Sequence, residues 1–191
     1  MALRTYAQEG GNVMNIAVYC GSSFGRNPVY QEAAQEIGSF VAGRGDRLIY
    51  GGSKAGLMGV VADATLIHGG HVTGVEPQFF IDAGYVHPGI DETIATETMN
   101  ERKAKMIELA DAFIAIPGGS GTLDEISEVI VLAGLSDRPK PCILYNKNHF
   151  YDLLRNFYDY MVIEGFLSQR NRDLIFFCDT VEDIEKVLSR V

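Results

Sequence analysis

The sequence has no tryptophan, only three cysteines and six prolines in 191 residues. The cysteines, Cys20, Cys142 and Cys178, are odd in number, far apart and outside any C-x-x-C spacing. That distribution matches neither a disulfide framework nor a thiolate metal site, and buried thiols in a reducing, cytoplasmic compartment are expected. No apolar run approaches the roughly 18 residues of a membrane span. Residues 1–13 lack the apolar middle of a signal peptide and are expected to form a loose extension ahead of one domain covering 14–191. Positive charge is scarce as well: 16 Lys and Arg face 25 Asp and Glu, a net charge of −9. A nucleic-acid binder needs a basic face, so neither nucleic acid nor membrane is expected as a partner. A small anionic ligand stays open, because backbone amides and a few local cations hold a phosphate whatever the global charge.

Other signatures are missing too. The four histidines have no carboxylate or cysteine partners at ligand spacing, so no metal is expected. No G-x-G-x-x-G follows any apolar run, no Walker A loop is present, and no G-x-S-x-G elbow occurs.

The composition that remains, 47% hydrophobic and 21% charged, is that of a globular domain. Its length is enough to bury a sizeable core. Short apolar runs at 15–20, 47–50, 71–75, 92–98, 112–116, 141–145 and 174–178 read as strands. Segments with helical periodicity at 29–44, 57–68, 100–110, 123–135, 151–164 and 181–190 alternate with them. Residues 76–91 read as an irregular loop over a site. The alternation predicts an α/β protein with a mostly parallel sheet covered by helices on both faces. Ligands in such sheets sit beyond the carboxyl ends of the strands. The loops 21–27, 51–56, 76–91 and 117–122 should therefore meet there.

Three segments carry chemistry. Pro117-Gly-Gly-Ser-Gly-Thr-Leu-Asp-Glu125 lies between a buried strand and an apolar helix. Its glycines let backbone approach a ligand, and the free amides of the next helix face an anion. A plainer account stands beside this one: Thr122-x-x-Glu125 also has the spacing of a capping box, although a cap needs no glycines ahead of it. Gly51-Gly-Ser-Lys-Ala-Gly-Leu-Met-Gly59 is a second strand-to-helix turn, either a phosphate loop to which Lys54 contributes or only a tight turn. Met99-Asn-Glu-Arg-Lys-Ala-Lys-Met106 is a charged helix start, in which Arg102 is able to grip a phosphate or carboxylate in bidentate fashion or simply face solvent.

Together these segments resemble the LOG ("lonely guy") family of cytokinin riboside 5′-monophosphate phosphoribohydrolases. Its P-G-G-x-G-T-x-x-E pattern matches Pro117 to Glu125, its M-x-x-R-K stretch matches Met99, Arg102 and Lys103, and its G-G-x-x-x-G-L-M-G matches Gly51 to Gly59. The opening Ala17-Val-Tyr-Cys-Gly-Ser-Ser23 fits too. The chain departs from the family at Asn100, where His is usual, and at 131–135. The resemblance implies a Rossmann-like three-layer sandwich, a homodimer with sites near the interface, and no cofactor. It implies that Glu125 and Arg102 are catalytic. It also implies that Lys103, Met99, Gly51, Gly52, Ser22 and the run Gly118, Gly119, Ser120, Gly121 and Thr122 contact a nucleoside monophosphate. Glu125 is expected in the first helical turn, where the dipole keeps it ionised. An older "lysine decarboxylase" label in the family finds no support in the residues, since no lysine stands in a pyridoxal phosphate context. A non-catalytic nucleotide or cofactor carrier on the same fold is the alternative function.

Overall fold

The computed structural model describes residues 13–190. The expected loose extension falls almost wholly on residues outside that range. Strand β1 (Asn15–Tyr19) shows why the chain folds as it does. Its side chains alternate, Ile16 and Val18 into one apolar cluster, Ala17 and Tyr19 into another. Period-two alternation with both faces apolar is the signature of a strand covered on both sides. Strand β2 (Arg47–Tyr50), β3 (His71–Pro77), β4 (Glu92–Thr96), β5 (Ala112–Ala115), β6 (Cys142–Tyr145) and β7 (Ile175–Cys178) complete the sheet. All the pairings are parallel, in the order β4-β3-β2-β1-β5-β6-β7.

Helices α1 (Val29–Gly43) and α2 (Gly56–Ile67) pack on the first cluster, and α3 (Gln78–Asp82) follows β3. Helices α4 (Met99–Leu109), α5 (Ser120–Leu135) and α6 (Asp152–Ile163) cover the second cluster. The short α7 (Gln169–Arg172) and then α8 (Val181–Leu188) close the chain, α8 returning to the first cluster. The result is the three-layer, doubly wound arrangement. Connections run outward one way from β1 to β4 and the other way from β5 to β7, so the strand order reverses between β1 and β5. The crevice at that reversal is where such sheets take ligands.

Several boundaries differ from the sequence expectations for identifiable reasons. Residues 76–91 are not wholly irregular. Strand β3 runs on to Pro77 in register with β4, and α3 follows, with Phe80 packed against Phe79 and Tyr85. Helix α4 begins at Met99 because Thr98 accepts a hydrogen bond from the Glu101 amide. Helix α7 has no apolar periodicity to announce it and owes its start to the Ser168 hydroxyl, which accepts from the Asn171 amide. A 3-10 turn at Lys147–His149 interrupts the approach to α6.

Gly38 sets how closely α1 and α2 approach. A Cβ there would lie 2.7 Å from the Ala64 Cβ and 2.5 Å from the Val61 carbonyl oxygen. Helix propensity alone favours Gly38→Ala by about 1 kcal/mol. Overpacking of this kind costs about 1–3 kcal/mol. We therefore expect Gly38→Ala to lower stability by about 1 kcal/mol in urea denaturation; a gain would show that the helices separate freely.

Candidate active site

The loops after β1 and β5 touch each other directly at the crevice. The Gly21 amide donates to the Pro117 carbonyl at 3.2 Å, and the Leu57 amide at the start of α2 donates to the Gly21 carbonyl at 3.0 Å. A cleft of about 200 Å³ opens there, lined by Gly21, Ser23, Phe24, Tyr30, Gly118 and Phe150 among others. Neither Arg102 nor Glu125 is part of that lining.

Helix α5 starts three residues earlier than its apolar periodicity suggests. Gly119 is the N-cap, and no side chain caps the helix. The Leu123 amide makes the first helical bond, to the Gly119 carbonyl. The amides of Ser120, Gly121 and Thr122 precede it, as the first amides of every helix do, and carry the positive end of the dipole. Gly119, Ser120 and Gly121 are exposed, and a Cβ on Gly119 or Gly121 would meet nothing within 4 Å. These main-chain amides could receive an anion, and open space lies in front of them.

The early start overturns the capping-box reading of Thr122 and Glu125. Thr122 is buried inside the helix, and a Cβ on Gly118 would overlap its hydroxyl oxygen. It also moves Glu125 out of the first turn, which contains no acidic residue. The dipole therefore does not keep Glu125 ionised. Burial pushes its carboxyl above the usual range, and the charge and hydrogen bond of Arg102 pull it back.

Arg102 is the hub. Its Nη1 donates to Glu125 Oε1 at 2.7 Å, and its Nε donates to the Val75 carbonyl at 3.0 Å. The side chains are 9% and 12% exposed. Its Nη2 occupies the space over Gly51 that a Cβ would need. Gly51 is thus required by Arg102 inside the protein, whatever it does for a ligand. Gly52, at φ +82°, is required in the same way by Glu76, whose Oε2 fills the Cβ position. Glu76 belongs to no motif and was not foreseen. The available signal was a lone acidic residue at the carboxyl end of an apolar strand.

Other expected contacts are distributed as follows. Lys103 lies beside the pair, with Nζ 2.9 Å from both Asp124 and Glu128, and so ties α4 to α5. Met99 is the exposed first residue of α4. Ser22 is exposed, and its backbone packs against Gly56, which takes φ +57° to admit it. Lys54 is exposed in the neighbouring turn, its amide donating to the Tyr85 carbonyl. Cys20 is buried beneath the site, and burial followed by the charge of Glu125 pushes its thiol far up, so it stays protonated and inert.

A doubly wound sheet with an anion seat at its reversal point places the chain among the Rossmann-like α/β proteins. Comparison with known proteins narrows this. The family model described as "Possible lysine decarboxylase" matches residues 58–188. The cytokinin riboside 5′-monophosphate phosphoribohydrolase LOG of Oryza sativa subsp. japonica is 44% identical over 169 residues, 88% of this chain and 70% of that protein. The cytokinin riboside 5′-monophosphate phosphoribohydrolase of Rhodococcoides fascians is 38% identical over 92% of this chain and 89% of its own length. The chain belongs to this LOG family. Among solved structures, the molybdenum cofactor binding protein of Rippkaea orientalis superposes with a TM-score of 0.73 at 21% identity, over 94% of this chain and 97% of that one. At that identity the likeness is one of fold.

The Arg102–Glu125 pair can be tested without any assay of function. Removing one partner of a buried ion pair leaves the other uncompensated, at about 3–5 kcal/mol. Arg102→Ala should lose stability on that scale. Arg102→Ala with Glu125→Ala should lose less than the sum of the single variants, with a coupling of about 1–3 kcal/mol. Strict additivity in denaturant titrations would mean the pair does not form.

Proposed function

We propose that this chain hydrolyses the N-glycosidic bond of a nucleoside 5′-monophosphate, AMP or a cytokinin riboside 5′-monophosphate, giving the free base and ribose 5-phosphate. The observation that carries the reading is the Arg102–Glu125 pair, held between helices α4 and α5, with Glu125 in the half of α5 whose start offers free amides. Family membership with relatives named for this reaction supports it.

The chemistry follows from the charges. Breaking the bond between base and C1′ builds positive charge on C1′ and the ring oxygen. A carboxylate close to that centre stabilises the charge or activates water. Glu125 fills this role, and Arg102 fixes its orientation. The amides of Ser120, Gly121 and Thr122 seat the 5′-phosphate, with Gly119 and Gly121 leaving open space for it, and Ser22, Lys54, Lys103 and Met99 lie around the nucleotide. Binding energy gained at the phosphate, away from the reacting bond, is used to orient the ribose. A carrier on this fold needs the anion seat but has no use for a carboxylate held at C1′, which favours hydrolysis over transport. Three buried cysteines, all free, suit a reducing, cytoplasmic compartment.

Glu125→Ala and Arg102→Ala are each expected to slow release of ribose 5-phosphate by at least about two orders of magnitude. Phosphate-free nucleosides should be far poorer substrates than monophosphates. Wild-type turnover by Glu125→Ala would remove the assignment, and equal use of nucleosides would remove the phosphate seat.

A homodimer built on α5 belongs to the same proposal. Val131, Leu132 and Leu135 are exposed together on the last turns of this helix, an apolar stripe. Such a stripe marks an interaction surface. Sedimentation should show a dimer that Val131→Asp with Leu135→Asp converts to monomer; a monomeric wild type would end this part of the reading.

A further inference from the structure

The cleft between the loops after β1 and β5 has no part in the hydrolysis described above. Tyr30 packs against the first apolar cluster and Leu57 belongs to it, so the cleft opens on the α1 and α2 side of the sheet. Arg102 and Glu125 stand on α4 and α5, which cover the second cluster. The start of α5 lies between the two, because Gly118 and Gly119 form part of the cleft wall. A nucleoside monophosphate with its phosphate on the first amides of α5 and its C1′ at Glu125 therefore leaves this cleft empty.

The other walls of the cleft are aromatic. Phe24, Tyr30 and Phe150 come from the loop after β1, from α1 and from the turn ahead of α6. Tyr30 meets Phe150 edge to face at 5.5 Å, and Phe150 meets Tyr151 in the same way at 4.9 Å. Tyr151 is in turn fixed by its hydroxyl, which donates to the Ile116 carbonyl at 2.9 Å. Gly25 takes φ +71° with its backbone against the Tyr30 ring, where a Cβ would come within 2.9 Å. Phe24 is 48% exposed and Phe150 39% exposed, so ring surface is left in water. Bare backbone completes the cleft, since a Cβ on Gly21 would lie 3.4 Å from the Gly118 Cα. The Gly118 and Gly119 amides have no protein acceptor among the described residues. Aromatic walls with a few polar groups are the composition of a small-molecule site. At about 200 Å³ the cleft is smaller than the roughly 300–1,000 Å³ of pockets that enclose a drug-sized ligand, and it takes one ring system rather than a whole nucleotide.

We propose that this cleft is a second ring subsite, which takes a heteroaromatic base carried on the far side of the phosphate held at the α5 start. The ligand class is a dinucleotide, two nucleosides joined 5′ to 5′ through phosphates. One nucleoside lies toward Arg102 and Glu125, and the other lays its base among Phe24, Tyr30 and Phe150. The proposal rests on the phosphate position of the hydrolase reading, but not on hydrolysis itself. Stacking of a base on aromatic side chains is insensitive to which base it is, so the cleft selects for a second ring rather than for its identity.

Because the chain has no tryptophan, Phe24→Trp places a single fluorescent reporter in the cleft. Its emission is followed in stopped flow, before turnover consumes ligand, on mixing with diadenosine diphosphate, AMP, adenosine or adenine. The dinucleotide should quench the tryptophan at a concentration about tenfold or more below that needed of adenosine or adenine. AMP should not quench it, and should reverse the quenching by the dinucleotide through competition for the phosphate position. Adding Phe150→Ala should weaken the dinucleotide by about tenfold and leave AMP unchanged as a competitor. Equal weakening of both would mean that Phe150 only supports the α5 start, and would overturn the proposal. Quenching by AMP as strong as by the dinucleotide would put the base of the monophosphate in the cleft, and the proposal fails. Adenosine or adenine binding as tightly as the dinucleotide, no reversal by AMP, or no quenching by any of the four also ends it. If wild type releases base from no monophosphate, the hydrolase reading fails instead, and the quenching still decides what the cleft takes.

Discussion

The organisation of this site follows from one demand, the housing of a nearly buried guanidinium. Taking a cation out of water costs several kcal/mol unless its hydrogen bonds are replaced. Arg102 recovers that cost through hydrogen bonds to the main chain of β3 at Val75 and the carboxylate of α5 at Glu125, and its Nη2 lies in the space left free over Gly51 after β2. Four pieces of chain that are distant in sequence must therefore be in place together. A side chain bonded in this way is held in one geometry, as the proposed role of orienting Glu125 requires.

The same demand separates two kinds of glycine that look alike in the sequence. Gly51, Gly52 and Gly118 are filled from within, by Arg102, Glu76 and Thr122 respectively. Gly119 and Gly121 face open space. Glycine-rich loops are commonly read as room for a ligand's phosphate. Here only part of the glycine content serves that purpose, and the rest lets charged or hydroxyl-bearing side chains lie against backbone. At Gly51 and Gly52 local sequence cannot separate these uses, because the atom that fills the space comes from a residue 51 and 24 positions away.

This explains what was legible and what was not. The sheet and its covering helices could be read because β1 and β5 alternate apolar side chains into two cores and the helical segments show their own periodicity. Arg102 and Glu125 were found because both lie in segments whose residue pattern resembles a known family. The start of α5 was misplaced because Thr122 and Glu125 have the spacing of a capping box, whereas backbone at Gly119 opens the helix without any side-chain cap. Glu76 was missed because its burial depends on a tertiary contact: its carboxyl fills the space left by a positive-φ glycine across the turn. The short α7 was missed because four residues held by Ser168 have no periodicity to show.

Structures of molybdenum cofactor binding and carrier proteins share this architecture at 17–21% identity, while the relatives named as phosphoribohydrolases stand at 38–44%. That contrast has a physical basis. Main-chain amides at a helix start depend little on side chains, so a fold can keep them through extensive sequence change. What happens beyond the phosphate depends on a few charged groups at the neighbouring strand ends. In this chain the groups there include the Arg102 guanidinium and the Glu125 carboxylate, sited where water is largely excluded and each charge acts more strongly than it would in solution. The fold therefore supplies a helix start able to hold an anion, and the Arg102–Glu125 ion pair is the charged feature beside it.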